Sequence, residues 1–314
     1  MRIFITGGGG CIGHYIADSL IKNTEHELFF LVRNPSKIKF DYNYRQGINI
    51  IEGDLVKILD YQELLSTMNI AILAATCWGG EEESYQINVE ANINLINSLN
   101  PDNCQQIIYF STASILNQNN QLLPQAGEIG TDYIRTKYQC YNKLSELKLF
   151  DRIITVYPTL VFGGDDDKPY SHLSAGLKDL PKLINLIRWF QADGSFHFIH
   201  GKDIATVISY LVENGTNLDE SFDKKLVLAN PSLKVNQAIK EISNYFEKKV
   251  YFQIPLSILL AKFFIKVFNV QMAEWDYFCL NYRHFVHKKF VNPHTFNLES
   301  FAPNLTSLLK VSQV

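Results

Sequence analysis

The 314-residue sequence contains few cysteines, a low share of charged residues and no uninterrupted apolar run of transmembrane length. Its five cysteines are scattered, without a C-x-x-C pair or a zinc-like spacing, which argues against a disulfide scaffold or a cysteine-based metal site. We therefore predict reduced thiols in a cytoplasmic protein. The net charge of −3 provides no general attraction to nucleic acid, so no nucleic-acid partner is expected.

The sequence also lacks an export signal, because only three apolar residues separate Arg2 from Thr6. The most apolar stretch, residues 254–270, is short for a bilayer crossing and contains Lys262 and Lys266. No transmembrane segment is therefore predicted. We interpret this stretch as a helix that lines or covers a substrate lobe; the alternative is a helix lying in a membrane interface, as a peripheral contact.

Four consecutive glycines follow a β-like run at the start of the chain and precede a stretch with apolar residues at helical spacing. In this order, strand, glycines and helix present bare backbone N–H groups and a positive helix end to a pyrophosphate. The glycines fit two registers, G-x-G-x-x-G from Gly8 and T-G-x-x-G-x-x-G from Thr6. Both predict a dinucleotide cofactor. The residues expected to bind its phosphates are Gly7, Gly10, Cys11, Ile12 and Gly13.

Strand-like and helix-like runs alternate along the first half of the chain, which predicts an α/β fold with a doubly wound parallel Rossmann sheet. Strands are expected at residues 2–6, 28–33, 48–52, 70–75, 106–111 and 153–157, and helices near 12–23, 60–67, 84–99 and 132–149. The Gly- and Asp-rich segment 163–169 marks the departure from this domain. We assign residues 1–165 and 196–232 to the dinucleotide-binding domain, and 166–195 and 233–314 to a smaller, mostly helical C-terminal substrate lobe.

The end of the second strand predicts which nicotinamide cofactor is bound, because the adenine ribose lies there. An acidic residue would bind a free 2′-hydroxyl, whereas an arginine would pair with a 2′-phosphate. This strand end has no Asp or Glu, and Arg33 lies 20 residues past Gly13, so NADP(H) is favoured over NAD(H). If Arg33 is only a solvated loop residue, the preference stays open. Further cofactor contacts expected near strand ends are Asp54, Leu55, Leu73, Ala74 and Ala75.

A tyrosine and a lysine lie four residues apart, at Tyr133 and Lys137, so one face of a helix would carry both. A free phenol with a pKa of about 10 is a poor base at neutral pH, but a nearby lysine cation favours the phenolate and lowers that pKa. Upstream, a strand runs into hydroxyl residues, where Thr112 would hold the same substrate oxygen. We predict that these three residues are catalytic.

Together these motifs resemble the extended short-chain dehydrogenase/reductase superfamily of NAD(P)-dependent epimerases, dehydratases and reductases. The similar segments are Thr6-Gly7-x-x-Gly10-x-x-Gly13, Gly53-Asp54-Leu55, residues 111–115, Tyr133-x-x-x-Lys137, and residues 157–163 and 198–205. The resemblance covers about residues 1–235. It implies that Tyr133 and Lys137 are the catalytic pair and that Pro158 and Leu160 contact the nicotinamide. It also suggests a homodimer in which the helices near 84–99 and 132–149 pair across a twofold axis.

Departures from the family pattern favour one branch. Phe196-His197 and Tyr157 stand where sugar-nucleotide members usually carry arginines, and Ala113-Ser114 stands where dehydratases have an Asp-Glu pair. We therefore predict an NADP(H)-dependent oxidoreductase acting on a small, largely apolar carbonyl or alcohol. The alternatives are a nucleotide-sugar epimerase with tightly bound NAD(P), and a catalytically silent cofactor-sensing protein. His284 and His287 have no third ligand nearby, so no metal is expected.

Overall fold

The computed structural model describes residues 1–215, 222–267 and 271–313. Its strands are β1 (Arg2–Thr6), β2 (Glu27–Val32), β3 (Ile48–Glu52), β4 (Ile70–Leu73), β5 (Gln106–Phe110), β6 (Ile153–Pro158), β7 (Leu160–Phe162), β8 (Phe190–Gln191), β9 (Ser195–Phe196), β10 (Phe198–His200), β11 (Lys225–Leu228), β12 (Leu233–Lys234), β13 (Ile254–Pro255) and β14 (His284–Phe285). Its α-helices are α1 (Cys11–Asn23), α2 (Gln62–Leu65), α3 (Glu81–Tyr85), α4 (Asn92–Ser98), α5 (Pro124–Glu128), α6 (Asp132–Leu144), α7 (His172–Leu177), α8 (Leu180–Ile187), α9 (Gly201–Asn214), α10 (Val235–Tyr245), α11 (Ile258–Val267), α12 (Glu274–Asn281) and α13 (Leu305–Val311).

Within these residues, seven parallel strands form one sheet in the order β11-β6-β5-β4-β1-β2-β3. Alternating apolar side chains cover both of its faces. Ile3 and Ile5 of β1 belong to the core beneath α1 and α9, whereas Phe4 belongs to the core on the opposite face, and all three are fully buried. The predicted α/β fold class with a doubly wound parallel sheet is therefore confirmed.

Three of the predicted helices differ from expectation. The helix expected near 60–67 is a 3-10 helix at Leu55–Tyr61 followed by the short α2. The helix expected at 84–99 is divided into α3, a π-helical turn at Gln86–Ala91 and α4, and the buried Asn92 side chain donates hydrogen bonds to carbonyls within that turn. The helix expected at 132–149 ends at Leu144, because Ser145 binds the Asn142 carbonyl and tight turns follow. β4 also ends at residue 73, two residues before the predicted end.

The end of the chain packs back onto the sheet domain. Asp203, fully buried in the first turn of α9, accepts hydrogen bonds from the backbone amides of Phe301 at 2.6 Å and Ala302 at 3.0 Å. The Ala229 amide donates to the Val291 carbonyl at 3.0 Å. The boundary at residue 165 between sheet domain and lobe stays a prediction. None of the described helices is long and apolar enough to cross a membrane; of the apolar stretch 254–270, residues 268–270 lie outside the described residues.

Candidate cofactor and catalytic site

The glycine loop follows β1, which lies beside β4 in the sheet. The strands that follow β1 extend the sheet on one side, and those that follow β4 extend it on the other. Ligands bind at this point of reversal in open α/β sheets. Gly7 has a φ of +79°, and a Cβ there would lie 2.6 Å from the carbonyl carbon of Ala74. A Cβ on Gly13 would overlap the carbonyl oxygen of Gly7. A Cβ on Gly8 would only touch the ring of Phe30 at 3.2 Å. Backbone geometry therefore requires glycine at residues 7 and 13, the first and last glycines of the T-G-x-x-G-x-x-G register.

Helix α1 begins directly after this loop and presents a free N-terminus. Gly10 is its N-cap in an extended conformation, with no side-chain cap and no acidic residue in the first turn. The amides of Cys11, Ile12 and Gly13 belong to that first turn and have no intrahelical acceptor. The free amides and the positive end of the helix dipole favour a phosphate at this position. The loop residues thus fit the pyrophosphate of a dinucleotide.

Arg33 and Asp54 follow the ends of β2 and β3. The Arg33 side chain is 67% exposed, and its Nη1 lies 3.9 Å from Oε1 of Glu83, which is also exposed. Such an exposed ion pair is weak, so the guanidinium can exchange it for another anion. Asp54 caps the 3-10 helix Leu55–Tyr61 by accepting a hydrogen bond from the Val56 amide at 3.1 Å. The proposed adenine contacts of both residues stay predictions.

The end of β4 brings small side chains next to the glycine loop. Leu73 is buried, Ala74 and Ala75 are half-buried, and the Ala75 amide donates to the Thr6 hydroxyl at 3.2 Å. This bond ties the end of β4 to the end of β1 beside Gly7. Small side chains at this strand end would let a cofactor lie across it, and this contact stays a prediction.

Thr112, Tyr133 and Lys137 converge at the carboxyl end of β5. Thr112 lies two residues past this strand, and Tyr133 and Lys137 share a face of α6, whose first turn is capped by the Thr131 side chain. The Tyr133 hydroxyl lies beside that of Thr112, which acts to lower the pKa of the phenol, and the Thr112 hydroxyl donates a hydrogen bond to the Ser114 hydroxyl at 3.3 Å. The Lys137 ammonium donates to the Phe110 carbonyl at 2.7 Å. The fold thus brings together the three residues that the sequence motifs singled out.

Burial controls the protonation of these groups. It lowers the pKa of Lys137, which is 1% exposed, to about 8. It raises the pKa of Tyr133 to about 12, and the hydrogen bond from Thr112 acts in the opposite direction. The expected lowering of the tyrosine pKa by the lysine is wrong for this structure, because burial raises that pKa and Lys137 is not among the groups that shift it; the ammonium instead binds the Phe110 carbonyl. Burial therefore favours the neutral form of the Tyr133 phenol.

Trp78, on the loop after β4, covers the Tyr133 ring. The two ring centroids lie 3.9 Å apart with their planes at 13°. The indole is 57% exposed, and the ring of His172, the first residue of α7, lies 5.1 Å from it. The loop after β4 and the start of α7 therefore flank the path by which a substrate would reach the phenol. No sequence pattern pointed to Trp78, because only tertiary packing brings it to Tyr133.

Asn88 holds the loop that carries Trp78. It is fully buried, and its Oδ1 accepts hydrogen bonds from the Cys77 amide at 2.9 Å and the Thr76 hydroxyl at 3.0 Å. Its Nδ2 donates to the Cys77 carbonyl at 2.9 Å and to the Thr136 hydroxyl at 3.0 Å. One side chain thus joins the loop to α6. The sequence offers no signal that separates Asn88 from Asn92, Asn94 and Asn97 in the same stretch.

Pro158 and Leu160 lie at the junction between β6 and β7. Pro158 is the last residue of β6, and Leu160 is 41% exposed. The Leu160 amide donates to the carbonyl of His197 at 3.4 Å. Their contact with a nicotinamide stays a prediction.

Cys11 is the first residue of α1. Burial raises the pKa of its thiol to about 12, which favours the neutral thiol.

His284 and His287 are directed to different partners. A ring nitrogen of His284 lies 3.2 Å from the Ser195 hydroxyl. The buried His287 ring instead bonds the Asn117 carbonyl at 3.2 Å and packs against His197. Among the residues that the structure describes, no three His, Cys, Asp or Glu side chains are grouped to hold a metal ion.

The model of the NAD dependent epimerase/dehydratase family matches residues 3–223 of this chain. The chain belongs to that family. As a member, it is an NAD(P)-dependent enzyme of the extended short-chain dehydrogenase/reductase type, as the motifs predicted. The short-chain dehydrogenase/reductase family 42E member 1 of Xenopus laevis is 25% identical over 120 residues, or 36% of this chain. The match spans 30% of that relative's length.

Solved structures share the fold of this family member at low sequence identity. The gox2253 structure has a TM-score of 0.69 at 18% identity, covering 98% of this chain and 94% of that one. WbmG of Bordetella bronchiseptica, solved with NAD and UDP, has a TM-score of 0.63 at 13% identity and coverages of 100% and 94%. A UDP-N-acetylglucosamine 4-epimerase from Methanobrevibacter ruminantium M1 has a TM-score of 0.57 at 20% identity and coverages of 81% and 84%. At these identities the likeness establishes the fold alone.

Proposed function

We propose that the protein is an NADP(H)-dependent oxidoreductase that transfers hydride to or from a small, largely apolar carbonyl or alcohol, with acid–base catalysis by Tyr133 and Lys137. The observation that carries the proposal is the meeting of Thr112, Tyr133 and Lys137 at the end of β5, on the same sheet edge as the glycine loop. A nicotinamide bound there would supply or accept the hydride at its C4 position.

The protonation of the site favours carbonyl reduction. A phenol whose pKa is raised to about 12 holds its proton and can donate it to a substrate oxygen that gains negative charge. Thr112 would orient that oxygen through its hydroxyl, and the Lys137 ammonium adds a positive charge at the end of β5, where it binds the Phe110 carbonyl. Lys137 would also hold the nicotinamide ribose, a role that the family resemblance implies.

An apolar substrate is supported by what surrounds Tyr133. The phenol packs against a cluster that contains Trp275, Phe278 and Tyr282 of the C-terminal lobe, and Trp78 covers its ring. These aromatic surfaces favour a hydrophobic carbonyl compound over a sugar.

The test is turnover of a carbonyl panel by wild type and Tyr133→Phe. We expect the variant to lose about 10²- to 10⁴-fold in kcat while its Kd for NADPH stays unchanged, because the phenol supplies the proton. Tyr138→Phe on the same helix is the matched control and should keep activity. A Tyr133→Phe enzyme that turns over at the wild-type rate would show that the phenol is not the acid.

NADP(H) is proposed over NAD(H) because of Arg33 and the lack of an acidic residue at the end of β2. Arg33→Ala should raise the Kd of NADPH by at least about tenfold and leave that of NADH unchanged, since the guanidinium would bind the 2′-phosphate. Lys22→Ala, in the last turn of α1, is the control for a general charge effect. Tighter binding of NADH than NADPH by the wild type would refute this preference.

A nucleotide-sugar epimerase is the second candidate, because structural neighbours include sugar-nucleotide epimerases. An epimerase regenerates its bound cofactor in each cycle, so net NADPH consumption separates the two activities. Tight NADPH binding without turnover of any carbonyl or UDP-sugar would instead favour a cofactor-sensing protein. The homodimer and the cytoplasmic location stay predictions.

A further inference from the structure

The C-terminal lobe exposes a group of large apolar side chains, here called the lobe surface. They are Leu183 (49% exposed), Leu186 (62%), Tyr251 (77%), Phe252 (63%), Ile254 (45%) and Leu259 (81%). Single exposed apolar residues are ordinary on soluble proteins, but a concentration of them marks an interaction site.

Helix α8 shows that this exposure follows from the sequence pattern. Ile184 is fully buried, so it defines the inner face of the helix. Leu183 and Leu186 lie three residues apart on a common face that is turned away from Ile184, and Lys182 flanks it. A helix with one buried apolar residue and an exposed apolar pair has a second apolar face that the lobe itself does not cover.

Backbone pairing joins α8 to the other exposed side chains. β13 pairs with β8 in parallel, with Ile254 opposite Phe190. The Arg188 guanidinium donates to the Lys249 carbonyl at 3.1 Å, and the rings of Trp189 and Phe252 lie 5.1 Å apart. Helix α11 follows β13 after only two residues. The exposed apolar residues of the two chain segments therefore belong to neighbouring parts of one surface.

The same two segments are strongly basic. Residues 178–190 and 245–267 contain seven Lys or Arg and two Asp or Glu, a net charge of +5 in a chain whose overall charge is −3. Among the described residues, none of these seven basic side chains forms an ion pair. Lys182, Lys262 and Lys266 are exposed. The two segments thus carry exposed apolar side chains together with positive charges that have no acidic partner.

These charges decide between the partners that an apolar surface could bind. A second copy of the chain would bring two like-charged surfaces together across a twofold axis, which is unfavourable. A membrane-spanning role does not fit, because the ten residues of α11 extend only about 15 Å against a hydrocarbon core of about 30 Å. An anionic lipid surface satisfies both features, since it accepts apolar side chains at the acyl boundary and attracts Lys and Arg.

The geometry points to the lobe surface as a peripheral docking site for anionic membranes. On this proposal Leu186 and Leu259 insert at the level of the lipid headgroups, and Lys262 and Lys266 bind lipid phosphates. This inference does not depend on the proposed catalytic function, because none of these residues belongs to the cofactor or catalytic site.

The test is co-sedimentation of the full chain with phosphatidylcholine vesicles prepared with and without phosphatidylglycerol. Phosphatidylglycerol should strengthen binding at least about tenfold, and high salt should reverse this gain. Leu186→Asp/Leu259→Asp and Lys262→Glu/Lys266→Glu should each lose that binding. The matched controls on the sheet domain are Val56→Asp/Leu59→Asp, exposed by 45% and 49%, and Lys57→Glu/Lys148→Glu.

Binding to anionic vesicles that disappears in the lobe variants and persists in the controls supports the proposal. Absence of binding to either vesicle overturns it, as does an equal loss in the control variants or binding that ignores lipid charge. A wild-type dimer that Leu186→Asp/Leu259→Asp dissociates on size-exclusion chromatography, without vesicle binding, would assign the surface to a second copy instead. Unchanged thermal unfolding and NADPH binding verify that each variant is folded.

Discussion

Replacing Asn88 by alanine is expected to destabilise the fold and to displace Trp78 from Tyr133. Asn88 is fully buried and makes four hydrogen bonds of 2.9 to 3.0 Å that tie the loop after β4 to α6. Alanine can make none of them. The loop backbone at Cys77, directly before Trp78, would then have to find other partners.

The two bonds to the Cys77 backbone set the size of the loss in stability, because the other two partners of Asn88 can be satisfied elsewhere. Thr76 is exposed, so its hydroxyl regains water, and the Thr136 hydroxyl keeps its own hydrogen bond to the Asp132 carbonyl at 2.7 Å. The half-buried amide and carbonyl of Cys77 lose the partner seen in the structure. At roughly 1 to 1.5 kcal/mol for each such group, the free energy of unfolding should fall by about 2 to 3 kcal/mol.

The assay is equilibrium urea unfolding, with kcat measured on the same preparations. Asn92→Ala is the matched control, because Asn92 is equally buried but its Nδ2 donates to carbonyls of its own helical segment, Ile87 and Asn88. We expect Asn92→Ala to lower stability alone, and Asn88→Ala to lower both stability and kcat. A free energy of unfolding for Asn88→Ala within about 0.5 kcal/mol of wild type would refute the reasoning.

Three further predictions concern the cofactor and catalytic site. Because reduction needs the ammonium form of Lys137, kcat/KM should fall as the pH rises through about 8; a profile that stays flat there would contradict this role. Gly13→Ala should abolish NADPH binding in a thermal-shift titration, whereas Gly9→Ala, whose Cβ meets nothing within 4 Å, should retain it. Trp78→Ala should raise KM for apolar carbonyls more than Trp78→Phe does, since the benzyl ring still stacks on Tyr133; equal KM values in all three proteins would exclude this contact.

The sequence predicted the sheet and the glycine loop because both depend on local patterns. The side chains of residues 2–6 alternate between two buried faces of the sheet, and this pattern does not depend on the rest of the chain. The loop needs glycines at a fixed spacing, which the sequence shows directly. Trp78 and Asn88 were not predicted, since their partners on α6 lie tens of residues away along the chain. The end of α6 at Leu144 and the π-helical turn depend on individual side-chain bonds that periodicity does not express.

The error over the Tyr133 pKa has the same origin and bears on the direction of catalysis. Sequence spacing places Lys137 near the phenol, but it does not show that Lys137 is buried and Tyr133 half-buried, or that Phe110 binds the ammonium. Because burial raises the pKa of Tyr133 to about 12, its phenolate is rare at neutral pH. Alcohol oxidation would need that rare phenolate, whereas carbonyl reduction uses the abundant phenol. Under the proposed function, the raised pKa of the phenol favours proton donation, so reduction is the direction to assay first.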